Sequence, residues 1–594
     1  MAGQPQQQQP HSDPSRCLDA FIIALQQAGN KTQSYEKQWY TSTKQLQLAS
    51  MDFCVACRSV PTLHVKVKKG APTRLRVGVP AQQTRFATRL RATRVPVIRA
   101  REVTWSLSNS ALRRVSAEHF SNVARFSFDH KFDGDVSGVT LPASIRNLSF
   151  NGDFKRPLQE VSWPTSLQAL YFGGAVHQPL VGVSWPSSLC SLVVQGAMPH
   201  SLTGVVWPES LKVIRLEAGF NQPIDAITWP PLLTYLDLGV DFDQPISAVS
   251  WPDSLTTLIL LGEFNHPIDT VTWPGSLKTI IFGRFNHPVD TVAWPASVEE
   301  LEFGYGFDQP ITRARWPTSL EVLTFHEAFN QAIDSESWPG SMKKIELSWE
   351  FNQPIGGARW PASLEKLVFG WAFNQPLTGV NWPASLRILN LGEKFNQAIE
   401  MVSWPGSLEE MIFKVEFNQP IGGVSWPSSL ERLTFGRDFD QPVSAVTWPS
   451  SLQQLVFGMC FNQPIADVSW PDSLQEISFG TKGDRWRFNQ KCTFNEQRTH
   501  GVVSDFNQPI NEVRWPRSLG KVTFGESFDQ PVTGVVWPAS LRELTFSRDF
   551  SLPSEIFEWP ASLERLTIAR RPHEPLPTWP GVPVFRMWRP YWES

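Results

Sequence analysis

The dipeptide Trp-Pro recurs nineteen times between Trp163 and Pro580, and no other feature constrains the fold of this chain as strongly. The step is 22 residues, apart from one of 21, one of 45 (Trp470 to Trp515) and a last one of 20. Leu141-Pro142 stands one step before the first Trp. A more degenerate unit runs through Val123, Phe126, Phe128 and Phe132. A fixed short period means that each unit is a small element that cannot cover its own apolar surface, so neighbours must stack to bury it. The repeated phrase also explains the composition, in which 594 residues hold 26 Trp and 49 Pro but only 6 Tyr.

One unit shows the grammar. Trp360-Pro361-Ala362-Ser363-Leu364 is followed by Leu367, Phe369-Gly370, Phe373-Asn374-Gln375-Pro376-Leu377 and Val380. Leu367 and Phe369 are two apart, as on one face of a strand. The position between them varies freely: Val368 here, but Arg215, Asp237, Glu302, Glu346 or Asn390 in other units. That is core-in, solvent-out alternation over a short strand. Two prolines per unit break up any long helix, and the Gly after the strand suits a turn. The expected fold is mostly β, a parallel solenoid of about 20 repeats of 22 residues. A lone coil would bury too little to offset the entropy of ordering it, so only stacked coils are stable.

The residue after the second Phe is Asn in ten units (Asn374 among them) and Asp at 243, 308, 440 and 529. Asn and Asp share only a side-chain oxygen, so the position requires an acceptor. An acceptor in a tight turn satisfies backbone N–H groups that would otherwise be orphaned. A ladder of Asn and Asp along the array is therefore expected. His177, His266 and His287 fall at or beside the Gln of the phrase and read as substitutes in the same turns.

These residues resemble the FNIP-repeat family, a 22-residue relative of the leucine-rich repeats. Phe220-Asn221-Gln222-Pro223-Ile224 carries the first half of the family phrase, and Leu141-Pro142-Ala143-Ser144-Ile145 resembles the second. The resemblance implies a leucine-rich-repeat-like solenoid with an inner parallel sheet, used as an interaction module, with no catalytic residue in its motif. Some relatives join the repeats to an N-terminal F-box. A ubiquitin-ligase substrate adaptor is thus one alternative function, although residues 15–60 offer only a helix at 15–28.

Outside the repeats, residues 1–14 are a Gln- and Pro-rich tail, expected to be disordered and read as neither a secretory signal nor an anchor. Residues 15–118 form an N-terminal region. Within it, segment 64–114 holds thirteen Lys and Arg against Glu102, about +12 in a chain of net charge −3. Its alternation at 74–77 and 88–91 predicts strands that cap the solenoid. Such a charge allows a second alternative, binding of a polyanion or nucleic acid, but a protein is the expected partner. The solenoid is assigned to 119–568, with an irregular insert at 481–505, and an aromatic cap to 569–594.

No stretch is long and apolar enough for a membrane-spanning helix. Six unpatterned Cys give no disulfide framework, so a cytoplasmic compartment is expected. Cys54-Val55-Ala56-Cys57 lacks the second ligand pair of a zinc site. No nucleophile–base arrangement, phosphate loop or isolated carboxylate pair occurs, so no enzyme activity, catalytic residue, metal or cofactor is expected. The candidate binding residues are those on variable positions that depart from polarity. Tyr305, Trp349 and Trp371 follow the strand in neighbouring units, and Ile259 and Ile281 sit at the variable strand position. Trp349 and Trp371 are 22 apart and are expected to stack on adjacent turns. A second candidate is the insert, through Arg485, Trp486 and Arg487.

Overall fold

The computed structural model describes residues 123–128, 130, 132, 136, 141–333, 338–480, 505–546, 550 and 559–568. It also describes the backbone of strands at 63–66, 76–78, 102–105 and 584–586. They form one sheet of 24 strands, β1 to β24 in chain order. From β3 (Glu102–Trp105) to β24 (Val584–Arg586), each strand pairs in parallel with the next, one strand per turn of the solenoid. β1 (Leu63–Lys66) lies parallel to β3 on its other side, and β2 (Arg76–Gly78) closes that end by pairing antiparallel with β1. The sheet thus runs past the repeats at both ends. The only helical element among the described residues is a 3-10 turn at Leu158–Glu160. The expected helix at 15–28, Cys54 and Cys57, the alternation at 88–91 and the insert residues Arg485, Trp486 and Arg487 lie outside the described residues.

The register follows the 22-residue step. Leu367 in β15 (Lys366–Val368) is flanked by Ile345 and Leu389, and Val368 by Glu346 and Asn390. In this turn Trp360, Leu364, Leu367, Phe369, Phe373, Leu377 and Val380 are all buried, and they pack into one core cluster that runs the length of the array. The rings stack from turn to turn: Phe373 lies 6.1 Å from Phe351 and 6.0 Å from Phe395, and 3.9 Å from Phe369 of its own turn. Trp382 stacks on Trp404 at 6.1 Å. The Trp382 indole N–H is buried without a protein acceptor. Bulk, not hydrogen bonding, is what this position requires, which is why Leu141 can occupy it.

Turns are closed by short backbone bonds. The Leu364 N–H donates to the Pro361 carbonyl at 3.1 Å, and the Val380 N–H to the Leu377 carbonyl at 3.3 Å. Gly379 in the second turn has φ +79°, where a side chain would be strained.

Two ladders of polar side chains tie turn to turn. Asn374 Oδ1 accepts the Asn396 N–H at 2.9 Å and the Gln397 side-chain amide at 3.0 Å. Asp243 serves the Asn265 N–H in the same way at 3.0 Å. Only Oδ1 is used, so Asn and Asp interchange freely. His266 replaces the Gln, its Nε2 3.1 Å from the Asp243 carbonyl. The second ladder is serine: Ser385 Oγ donates to the Leu364 carbonyl at 2.7 Å, and Ser363 to that of Met342 at 2.7 Å.

The long step between Trp470 and Trp515 adds no turn to the stack. β20 (Glu476–Phe479) pairs directly with β21 (Lys521–Thr523), and the Asn507 N–H donates to Asn462 Oδ1 at 3.0 Å. The ladder closes across the insertion as it does elsewhere.

Candidate protein-interaction surface

Because core residues alternate with the rest along each strand, the positions flanking the Leu-x-Phe pair form a second face of the sheet. Its character changes along the array. Toward the N-terminal part, β8 (Val213–Ala218) and β9 (Tyr235–Asp237) carry a charged network. Arg215 Nε lies 3.4 Å from Asp237 Oδ2, and its Nη2 lies 3.4 Å from Glu217 Oε1. Asp237 also accepts the Gly239 N–H at 3.0 Å. Tyr171 extends the network by donating to Gln195 Oε1 at 2.7 Å. Burial pushes the Asp237 and Glu217 carboxyls up, and the Arg215 charge opposes that shift.

Beside this network Val213, Tyr235 and Ile259 form an apolar cluster, with Leu261 and Ile281 packed against it. Ile259 was expected to stand open. It is only 8% exposed, because Tyr235 and Ile281 on the adjoining turns fill the ~5 Å between strands. Ile281 is half-buried. This pair belongs to the packing of the face.

Next along the array, the face turns acidic. β12 (Glu300–Phe303), β13 (Val322–Phe325) and β14 (Lys344–Glu346) place Glu300, Val322 and Lys344 in one row and Glu302, Thr324 and Glu346 in the next. His326 Nε2 lies 3.2 Å from Glu302 Oε2, and Lys344 Nζ 3.0 Å from Glu346 Oε1. Burial pushes the Glu300 carboxyl up to about 7, reinforced by the Glu302 charge; Lys344 and a bond from Thr279 work against it. His326 is raised as well. Burial alone would lower it, but the hydrogen bond to Glu302 and the charges of Glu302 and Glu346 outweigh that.

The aromatic candidates stand at the edge of this zone, on the position that follows Gly304, Ser348 and Gly370 at the strand ends. Trp349 and Trp371 are half-buried and stack with ring centres 5.5 Å apart and planes 8° apart. Lys394 Nζ lies 3.8 Å above the Trp371 ring, a cation–π contact. Tyr305, 36% exposed, donates its hydroxyl to the Gly262 carbonyl at 3.0 Å, two turns back. In the turns around them the same position holds Glu327, Glu393 and Val415. The fold therefore does not need aromatic rings there.

The sequence reading missed the Arg215–Asp237 pair, the Glu300–Glu302–Glu346 cluster and Lys394. Laying the variable positions out in 22-residue rows would have shown the first two. Lys394 is 23 residues past Trp371, off the row, and only its reach brings it onto the ring. Among the described residues there is no group of three His, Cys, Asp or Glu able to hold a metal ion, and no helix is long and apolar enough to cross a membrane.

The family described as FNIP Repeat matches nine stretches of the chain, from 136–175 through 220–262 to 445–482. Among solved structures, CroV588, described as a novel circular LRR protein, is 31% identical with a TM-score of 0.62, over 81% of this chain and 73% of that one. An internalin from Listeria monocytogenes is 14% identical over 62% of this chain and 88% of that one (TM-score 0.34). The Drosophila Toll–Spatzle complex gives 11% identity over 86% and 68% (TM-score 0.42). No curated protein matches the sequence. The repeat phrase, the parallel solenoid it builds, the nine FNIP stretches and the likeness to CroV588 agree: the chain belongs to the FNIP-repeat family, with a leucine-rich-repeat-like fold.

Proposed function

We propose that this protein is a non-enzymatic repeat scaffold that binds a protein partner through the edge carrying Tyr305, Trp349 and Trp371. The observation that carries the reading is the Trp349–Trp371 stack. It stands outside the continuous core, at a position that neighbouring turns fill with Glu327, Glu393 or Val415. Stacked Trp on a rigid face is the usual energetic anchor of an interface. The polar residues of the repeated phrase are engaged in turn-to-turn hydrogen bonds, as Asn374, Gln397, Ser385 and His266 show. Neither Cys190 nor Cys460 is joined in a disulfide, which fits a reducing, cytoplasmic setting. The test is parallel affinity capture from the cells that make the protein, using the wild type and Trp349→Ala/Trp371→Ala. A partner retained by the first and lost by the second, with the melting temperature unchanged, supports the reading. Equal capture by both refutes it.

A further inference from the structure

The edge that bears Trp349 is charged in a way that specifies a partner. Over the three turns that contain β12, β13 and β14, the outer face and the edge beyond it hold Glu300, Glu302, Glu327, Glu346 and Glu350 against only Lys344 and His326. Glu302 and Glu346 are only 15% and 28% exposed and already face His326 and Lys344 at 3.2 and 3.0 Å, whereas Glu327 and Glu350 stand exposed at the edge, so the negative charge within reach of a partner's cation lies there. The stack shows where a cation sits. On one side Lys394 lies over Trp371, its N–H bonded to the Trp371 carbonyl at 3.0 Å. On the other side the adjoining turn is fixed by the Trp349 N–H to His326 carbonyl bond (2.8 Å) and the Glu350 N–H to Glu327 carbonyl bond (2.9 Å). That turn supplies Glu327 and Ala328 at the positions held by Glu393 and Lys394 on the turn after Trp371, and of these Lys394 reaches the Trp371 ring. An indole thus has a carboxylate-bearing turn beside it, and the chain places no lysine there.

We infer that the partner is a basic protein segment whose arginine packs on Trp349 against the Glu327 carboxylate, in the field of Glu302 and Glu346; this rests on the scaffold reading above. Arginine suits the place better than lysine. Its planar guanidinium lies flat on an indole while its edge donates to carboxylates in a fork. The same negative face disfavours nucleic acid and anionic lipid, whose phosphates it would repel.

The probe is a random peptide library displayed on phage, selected against the full chain, with the leading sequence then made as a fluorescent peptide. Selected sequences are expected to be enriched in arginine. The labelled peptide should bind at least tenfold more weakly to Glu302→Gln/Glu327→Gln, and its affinity should fall as NaCl rises. Replacing its arginine by neutral citrulline should cost the wild-type complex a similar factor, a readout that depends on no protein variant. A selection without arginine enrichment, one that yields no binding sequence, or a citrulline peptide that binds as well overturns the inference. Loss of binding in Trp349→Ala/Trp371→Ala but not in the glutamine variant would overturn it while leaving the scaffold reading intact. Unchanged binding in both variants would remove both.

Discussion

Trp349 and Trp371 lie one turn apart with their rings 5.5 Å from each other and 8° from parallel, outside the ladder of Phe and Trp that forms the core. Two aromatic systems therefore run through this molecule. One packs inside the turns of the solenoid, and the other is a short stack at its edge.

Trp382→Ala should leave a large void between Trp382's neighbours in the core ladder and cost roughly 3–5 kcal/mol. Thr434→Ser, on the outer face, should cost under ~0.5 kcal/mol. Chemical denaturation midpoints decide: similar midpoints for the two variants would mean that the Trp ladder carries no packing load.

Asn374→Asp keeps the acceptor used by the Asn396 N–H and the Gln397 amide and should stay within about 1 kcal/mol of wild type. Asn374→Leu orphans the Asn396 N–H and leaves the Gln397 amide only its longer bond to the Asn374 carbonyl at 3.3 Å, and should cost on the order of 1–3 kcal/mol. If the Leu variant is no less stable than the Asp variant, the ladder is decorative.

Arg215→Met removes the cation from Asp237 and Glu217 and leaves two poorly solvated carboxylates. It should destabilise by about 3–5 kcal/mol, and Arg215→Met/Asp237→Leu should recover part of that loss. A double variant less stable than the single one would contradict a pairing role.

Glu300 is raised from an ordinary carboxylate value to about 7. A raised acid favours the folded state below its unfolded value, near pH 4.5, and that contribution is lost as pH climbs through 7. Glu300→Gln should therefore match wild type near pH 5 and be more stable at pH 8, by on the order of 2 kcal/mol. Denaturation at both pH values checks the sign. A variant that is less stable at pH 8 would mean that the Glu300 charge is well compensated.

The fold was legible because one phrase recurs nineteen times, so any ambiguity in a single unit is resolved by the others. Leu367 and Phe369 gave the strand, and the Asn/Asp alternation gave the ladder. The serine ladder was not read, although Ser363 and Ser385 recur in register, because a Ser in a Pro-x-Ser turn already has a local explanation. The surface was legible only in part. Row arithmetic placed Trp371 on Trp349 but could not show Lys394 above it, since the contact depends on side-chain reach from an adjacent row. Nor could it show that Ile259 is closed in by Tyr235, because burial on this face depends on what the adjoining strands carry.

On the scaffold proposal, the edge stack serves binding and the core ladder serves folding. The most direct measurement is the affinity of Trp349→Ala/Trp371→Ala for a partner captured by the wild type, taken together with its melting curve. Binding weaker by ~2 kcal/mol or more, with a melting temperature close to wild type, is expected. A variant that binds normally, or that melts far below wild type, would contradict it.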